Sequence, residues 1–334
     1  MIILGIESSC DDAAAAVIET ERAGFALVRA NAVANQDDIH RPYGGVVPEL
    51  ASRNHVLTID PVVQRTLAAA GCELRDIDGI AVTRGPGLVG SLLVGLMYAK
   101  GLSQVTSIPM VGVNHLEGHL LAPMLENEVK MPYLALVVSG GHTALFLVDD
   151  FGRYRRLGAT RDDAAGEAFD KVAKLMGLGY PGGRIIDQMA RGGNPKRVRL
   201  PRARVKGAPL DFSFSGLKTA VALFLRSEAA AVTSRGDLAA SFQEAVVDML
   251  VRPTIAAARE LDAGTIVLTG GVAANSRLRE RLTEAATVEG RRLVAPSFKY
   301  CTDNAAMIAI AGSYRLLRGE ADPLSLDAEA SLPL

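Results

Sequence analysis

Apolar and polar positions alternate in short blocks along this chain, and the blocks repeat. Residues 2–7 form an apolar run ending on Glu7, the polar turn Ser8-Ser9-Cys10-Asp11-Asp12 follows, and a second apolar run, Ala13–Ile18, comes back. Strand, tight turn and returning strand is the pattern of a β-hairpin. The design recurs at Tyr133–Val138, Ser139-Gly140-Gly141-His142-Thr143 and Ala144–Val148. Two such copies predict two related halves. Buried strands are predicted at 79–83, at 110–113 and at Thr265–Thr269. The spacing predicts helices beginning near Pro48, over Ala159–Lys174 and over Ala305–Leu317. Asp162 and Asp163 stand where an N-cap and a first turn are expected, and Gly177–Gly183 breaks that helix before Asp187.

The turns carry the first chemistry. The first presents carboxylates. In the second, the backbone N–H groups of Ser139, Gly140 and Gly141 can approach a phosphate closely, while glycine would serve a plain hairpin equally well. Two related copies favour a nucleotide cleft between halves. Gly270 and Gly271 follow a strand in the same way, and Asn275 beyond them can bond a base or ribose. Asp170 lies deep enough in its helix to reach a ligand; a solvated face is the alternative. Gly85-Pro86-Gly87-Leu88-Val89-Gly90 is formally GxGxxG, but a dinucleotide site needs an acid at the end of the next strand, where Asn114 stands. It is read as a tight strand–helix turn. No GxxxxGK[ST] phosphate loop occurs.

His115 and His119, in Val-Asn-His-Leu-Glu-Gly-His, stack one turn apart on one helix face and make a pair of metal ligands. A zincin would need glutamate directly after the first histidine, where Leu116 stands; Glu117 is rotated by about 200° from the ligand face. A third ligand must come from elsewhere, and Asp303 is the candidate, with an N-cap of the following helix as its alternative.

The length of 334 residues allows two domains, and 49% apolar with 22% charged residues is ordinary for a globular protein. A net charge of −1 means that any nucleic acid must be held by a local patch. The most basic run is Lys196, Arg197, Arg199, Arg202, Arg204 and Lys206, broken by prolines. Such a loop is expected to stay out of the core, either solvated or laid along phosphates. Cys10, Cys72 and Cys301 have no CxxC spacing and read as reduced thiols of a cytosolic protein. No apolar run reaches membrane-spanning length, and Met-Ile-Ile-Leu-Gly-Ile-Glu enters a strand without a basic leader.

The runs ESSCDD, GGVVPELASR, GPGLVGSLLVG, NHLEGH, LVVSGGHT, DDAAGEAFDKVAKLMGLGYPGG, FSFSGLKT, LTGGVAAN and CTDNAAMIA, spread over about residues 3–310, resemble the tRNA threonylcarbamoyladenosine synthase family, in its bacterial TsaD branch. The resemblance implies an α/β fold of two RNase-H-like halves of the actin/Hsp70/sugar-kinase type around a nucleotide cleft. The implied division is 1–130, 131–302 and a C-terminal helix and tail, 303–334, returning toward the N-terminal half. It implies that His115, His119 and Asp303 hold one divalent metal, iron(II) foremost and zinc as the alternative. It implies that Val137, Val138, Ser139, Gly140, Gly141, Asp170, Gly183, Asp187 and Asn275 line the site of an ATP/AMP-type nucleotide and of threonylcarbamoyl-AMP. The family usually reads CDET where this chain has Cys10-Asp11-Asp12-Ala13, so Asp12 is a shortened Glu, and Asp11 is the candidate general base. The implied reaction moves threonylcarbamoyl onto the exocyclic amine of adenosine 37 of tRNAs reading codons that begin with adenine, in the cytoplasm. A TsaB-like paralogue, a TsaE-like ATPase and a TsaC-type synthase are the implied partners. The basic run 196–206 is the candidate tRNA contact. A metalloprotease and a sugar-kinase or chaperone-like ATPase are the competing classes.

Overall fold

The apolar blocks form strands whose β-branched and alanine-rich composition suits burial on both faces. The structure, a computed structural model, describes residues Met1–Leu334. In chain order it runs β1 (Ile2–Glu7), β2 (Ala13–Arg22), β3 (Phe25–Ala34), α1 (Asp37–His40), α2 (Pro48–Ala70), β4 (Gly79–Gly85), α3 (Val89–Thr106), β5 (Met110–Asn114) and α4 (His115–Leu121). There follow β6 (Tyr133–Val138), β7 (Thr143–Asp150), β8 (Arg153–Ala159), α5 (Ala165–Leu175), α6 (Gly182–Ala190), α7 (Ser215–Leu225), α8 (Glu228–Ala231) and α9 (Arg235–Glu260). The chain continues through β9 (Thr265–Thr269), α10 (Ser276–Val288), β10 (Arg292–Val294), α11 (Phe298–Cys301) and α12 (Ala305–Leu317). No helix is long and apolar enough to cross a membrane.

Two compact units result: residues 1–129 with 296–334, and residues 130–295. In the first, the sheet order is β3-β2-β1-β4-β5, with β1 antiparallel to β2 and parallel to β4. Side chains alternate across β1. Leu4 and Ile6 join Ile59, Val63 and Leu67 of α2 and Leu96 of α3 in one core cluster. Gly5, pointing the other way, lies against α12, where a Cβ would come within 2.9 Å of the Ala309 methyl. The sheet is thus sandwiched between α2 with α3 and α12.

The second unit repeats this topology. Its sheet order is β10-β9-β6-β7-β8, with β6 antiparallel to β7 and parallel to β9. The order is that of the first sheet with β6 in the place of β1. The duplication read from the hairpins is therefore one of whole sheets.

Two local expectations are corrected. The N-cap of α5 is Ala164, with no side-chain cap. Thr143 Oγ1 accepts from the Ala165 N–H at 2.9 Å. Asp162 instead accepts from Phe214 N at 2.7 Å and from the Ser215 hydroxyl at 2.8 Å, tying down the segment that enters α7. The basic run also seats part of itself in the unit: Val198 and Leu200 are buried, and Val198 N donates to Ser241 Oγ at 3.1 Å. Two apolar residues at strand-like spacing anchor the loop, while Lys196, Arg197, Arg199, Arg204 and Lys206 stay outside the core.

Candidate active site: a His-His-Asp group and a glycine turn

In the first unit the parallel strands β1, β4 and β5 end side by side, and α4 starts directly at the end of β5. The Asn114 side chain caps α4 by accepting from Leu116 N at 2.9 Å. This sets the helix so that His115 and His119 face the N-terminus of α12, their ring centroids 4.8 Å apart. Gly118 permits the close approach of the two helices, because a Cβ there would lie 2.8 Å from Ile308 Cδ1. The cap of α12 is Asn304, whose Oδ1 accepts from Met307 N at 3.0 Å. Asp303 is thereby not used as the cap. Its Oδ1 lies 3.2 Å from His119 Nε2 and 3.6 Å from His115 Nε2.

Ligand atoms of these three residues all lie within 4.8 Å of one another. Donors bound at about 2.1 Å to one tetrahedral ion stand about 3.4 Å apart. The two nitrogen–oxygen distances bracket that value, so the residues fit a divalent ion. His115 and His119 are buried while the Asp303 side chain is 27% exposed, which leaves one side open. Glu117 is turned away and accepts from the Tyr314 hydroxyl at 3.1 Å. The arrangement therefore lacks the poised glutamate of a zincin.

Electrostatics around the group favour a cation. Burial opposes charge on His115, but the carboxylates of Glu7 and Asp303 outweigh it and lift the ring to about 9. Burial, then Asp11 and Asp303, raise the Asp12 carboxyl to about 8. Burial and the same two carboxylates push the Cys10 thiol up, which keeps it from acting as a nucleophile. Asp11 lies in the β1–β2 turn, half-buried.

Asp12 has a consequence for stability. Its folded value of about 8 exceeds the ordinary 3.8, so the stabilisation from holding it protonated is complete below pH 3.8 and disappears as pH rises through about 8. Asparagine at this position would still accept the 2.8 Å hydrogen bond from Asn35 Nδ2. In chelator-treated protein, Asp12→Asn is expected to melt about 4 °C above wild type at pH 9 and together with it at pH 4. Equal melting temperatures at both pH values would show that Asp12 is not held protonated.

In the second unit, Val137 and Val138 end β6, and Ser139-Gly140-Gly141 turn the chain into β7. Ser139 N donates to His142 O at 2.7 Å, and Gly166 N at the start of α5 donates to Ser139 O at 3.2 Å. A Cβ on Gly140 or Gly141 would meet nothing within 4 Å. Neither glycine has a positive φ. Nothing in the fold of this unit asks for glycine there, and an incoming group would find the backbone bare. Gly183, at the first turn of α6, is similarly open, since a Cβ there would meet only Phe169 Cβ, at 3.9 Å.

Three polar residues are linked in series. Asp170 Oδ1 accepts from Gly182 N at 2.7 Å, pinning α6 to α5. Asp187 of α6 accepts from the Ser276 hydroxyl at 2.7 Å and from its N–H at 3.2 Å. Asn275 Oδ1 caps α10 through Leu278 N at 3.0 Å, and its Nδ2 donates to Gln243 Oε1 at 2.8 Å. Both ends of the Asn275 amide are thus engaged by protein. Gly270 and Gly87 also answer to packing. A Cβ on Gly270 would press on the Val138 carbonyl, and one on Gly87 would press on Ser9. The GxGxxG run therefore packs on the β1–β2 turn, where Leu88 N donates to Ser9 O at 2.7 Å.

Glu7 and Ser9 complete the surroundings of His115. Glu7 accepts from Ser9 N, from the Thr83 hydroxyl at 2.7 Å and from His115 Nδ1 at 3.0 Å. The signals in the chain are a carboxylate closing an apolar strand and the place of both residues in the ESSCDD run.

Two repeated five-stranded sheets of this topology define the class, the actin-like ATPase fold. The chain aligns over 96% of its length with 96% of the activator of 2-hydroxyisocaproyl-CoA dehydratase from Clostridium difficile, at 13% identity and a TM-score of 0.55. It also aligns over 95% of its length with 46% of full-length HypF, at 12% identity and a TM-score of 0.61. Within that class, residues 27–310 match the family TsaD, tRNA N6-adenosine threonylcarbamoyltransferase. The tRNA N6-adenosine threonylcarbamoyltransferase of Syntrophotalea carbinolica is 52% identical over 100% of this chain and 97% of that relative. The protein of the same name in Anaeromyxobacter dehalogenans is 54% identical over 98% of each chain. The chain belongs to the TsaD family.

Proposed function

We propose that this protein is a tRNA N6-adenosine threonylcarbamoyltransferase, moving the threonylcarbamoyl group from threonylcarbamoyl-AMP to the exocyclic amine of adenosine 37 in tRNAs that read codons beginning with adenine. The observation that carries this reading is the family match along the whole chain. The amine nitrogen forms a bond to the carbamoyl carbon, the bond from that carbon to the phosphate oxygen breaks, the amine loses a proton, and AMP leaves. The Ser139-Gly140-Gly141 turn offers N–H groups to the phosphate without a side chain in the way. Asp170, Asp187 and Asn275 hold the starts of α6 and α10 in register for the nucleotide. Asp11 accepts the proton of the attacking amine. His115, His119 and Asp303 would hold one divalent ion, iron(II) first and zinc second. When bound, such an ion would supply a Lewis acid.

The cations of the 196–206 loop contribute phosphate contacts to tRNA. Arg202 is the exception, since it pairs with Asp248 at 3.1 Å. Reversing Lys196, Arg197, Arg199 and Arg204 to glutamate is expected to weaken tRNA binding at low salt. It should also flatten the dependence of log K on log salt by about 0.7–0.9 for each phosphate no longer neutralised. An unchanged affinity and slope would remove the loop from the tRNA interface. A TsaB-like paralogue would pack on the exposed apolar side chains Val56 and Leu57 of α2 and Val89, Leu93 and Met97 of α3. A TsaE-like ATPase and a TsaC-type synthase complete the system.

The test is nucleoside mass spectrometry of unmodified tRNA incubated with the protein, these partners and preformed threonylcarbamoyl-AMP. Threonylcarbamoyladenosine supports the reading. Its absence with folded, metal-loaded protein and working partners would bring a kinase-like ATPase forward.

A further inference from the structure

Glu7 is a fully buried carboxylate that pairs with no lysine or arginine. Its oxygens are spent on three donors that converge from β4, from its own turn and from α4. The Ser9 N–H, which can only donate, holds Oε1, while Oε2 takes the Thr83 hydroxyl and His115 Nδ1. A carboxylate met by donors on both oxygens only accepts hydrogen bonds. His115 Nδ1, 3.0 Å from Glu7 Oε2 and 3.1 Å from Ser9 Oγ, must then carry hydrogen toward Glu7. In the neutral ring this leaves the lone pair on Nε2, the nitrogen that faces Asp303.

We propose that Glu7 is a positioning residue that fixes the tautomer and plane of His115 so that Nε2 is presented to the metal. The inference rests on the metal reading of the preceding section. Carboxylate–histidine–metal relays of this kind strengthen the ligand and are sensitive to small changes.

Glu7→Gln is a sharp probe here. The Ser9 N–H that donates to Oε1 cannot become an acceptor, so the amide oxygen of the introduced side chain must stay on that side. The amide NH2 then faces the Thr83 hydroxyl, which can rotate, and His115 Nδ1, which must offer a lone pair. The ring hydrogen moves to Nε2 and occludes the ligand position. Ser9 Oγ is the single remaining acceptor for the original tautomer.

The experiment is a titration of the metal-stripped full chain with cobalt(II), followed by its visible absorption. Wild type, His119→Ala, Glu7→Gln and Glu7→Asp would be compared, with a thermal melt of each stripped protein. Glu7→Asp keeps the charge and the bond to Ser9 but stops one methylene short of His115. The expected result is cobalt affinity about 10- to 100-fold weaker in both Glu7 variants, with an altered spectrum at saturation. If Glu7→Gln does not fold, Glu7→Asp alone decides. Affinities within about threefold of wild type, even with a lowered melting temperature, would reduce Glu7 to a structural role and overturn the proposal. Wild type that takes up no cobalt would overturn the metal reading itself.

Discussion

His119→Ala is expected to leave the protein without a stably bound metal and to cut threonylcarbamoyladenosine formation on the order of 10³-fold, the equivalent of about 4 kcal/mol of Lewis-acid stabilisation. His119 is completely buried, and its Nε2 lies 3.2 Å from Asp303 Oδ1. Its removal leaves one histidine and one partly exposed carboxylate, too few donors to hold a catalytic ion against water. The fold should survive, because the ring lies at the end of α4 beside α12, outside the cluster that joins the sheet to α2 and α3. Elemental analysis of the purified variant and nucleoside mass spectrometry after the transfer reaction check both halves of this expectation. Wild-type metal content together with wild-type product would remove His119 from the site.

The largest effect on stability is expected at Gly270. Its φ of 93° and ψ of 164° lie in a region that side-chain-bearing residues essentially do not enter. A Cβ would also sit 2.7 Å from the Val138 carbonyl carbon. Backbone strain and overpacking together cost about 3–5 kcal/mol. For a unit of this size that is a fall in melting temperature of about 10 °C for Gly270→Ala. The strained turn leaves β9 beside the end of β6, where Ser139-Gly140-Gly141 begins. Nucleotide binding should therefore weaken along with stability. A calorimetric scan reads the first and a nucleotide titration the second. A variant melting within about 2 °C of wild type would mean that the turn relaxes without cost.

The charge reversal in the 196–206 loop and the Asp12→Asn pH comparison test positions that these two variants leave alone. The loop illustrates how a correct charge count coexists with a wrong expectation of packing. Val198 and Leu200 alternate with the cations and are buried, and Val198 N is held by Ser241 of α9.

What the chain alone determined was local and periodic. The strand Thr265–Thr269 and the helix Ala305–Leu317 were readable to the residue, because continuous apolar runs bounded by glycine or by a cap suffice to define them. The duplicated hairpins disclosed two related halves, since a repeated pattern needs no knowledge of pairing. The spacing of His115 and His119 placed both on one helix face for the same reason. Tertiary structure decided whatever depends on meeting a distant residue. Asp303 and Asn304 are both competent caps, and only the packing of α12 on β1 and α4 shows that Asn304 takes the cap and Asp303 turns to the histidines. Asp162 left its expected cap because Phe214 and Ser215 come close enough to claim it. Glu7 acquired its partner only when parallel pairing of β1, β4 and β5 brought three strand ends into one row. Local periodicity is written in neighbouring residues, whereas cross-sheet register depends on which distant side chains satisfy one another's hydrogen bonds.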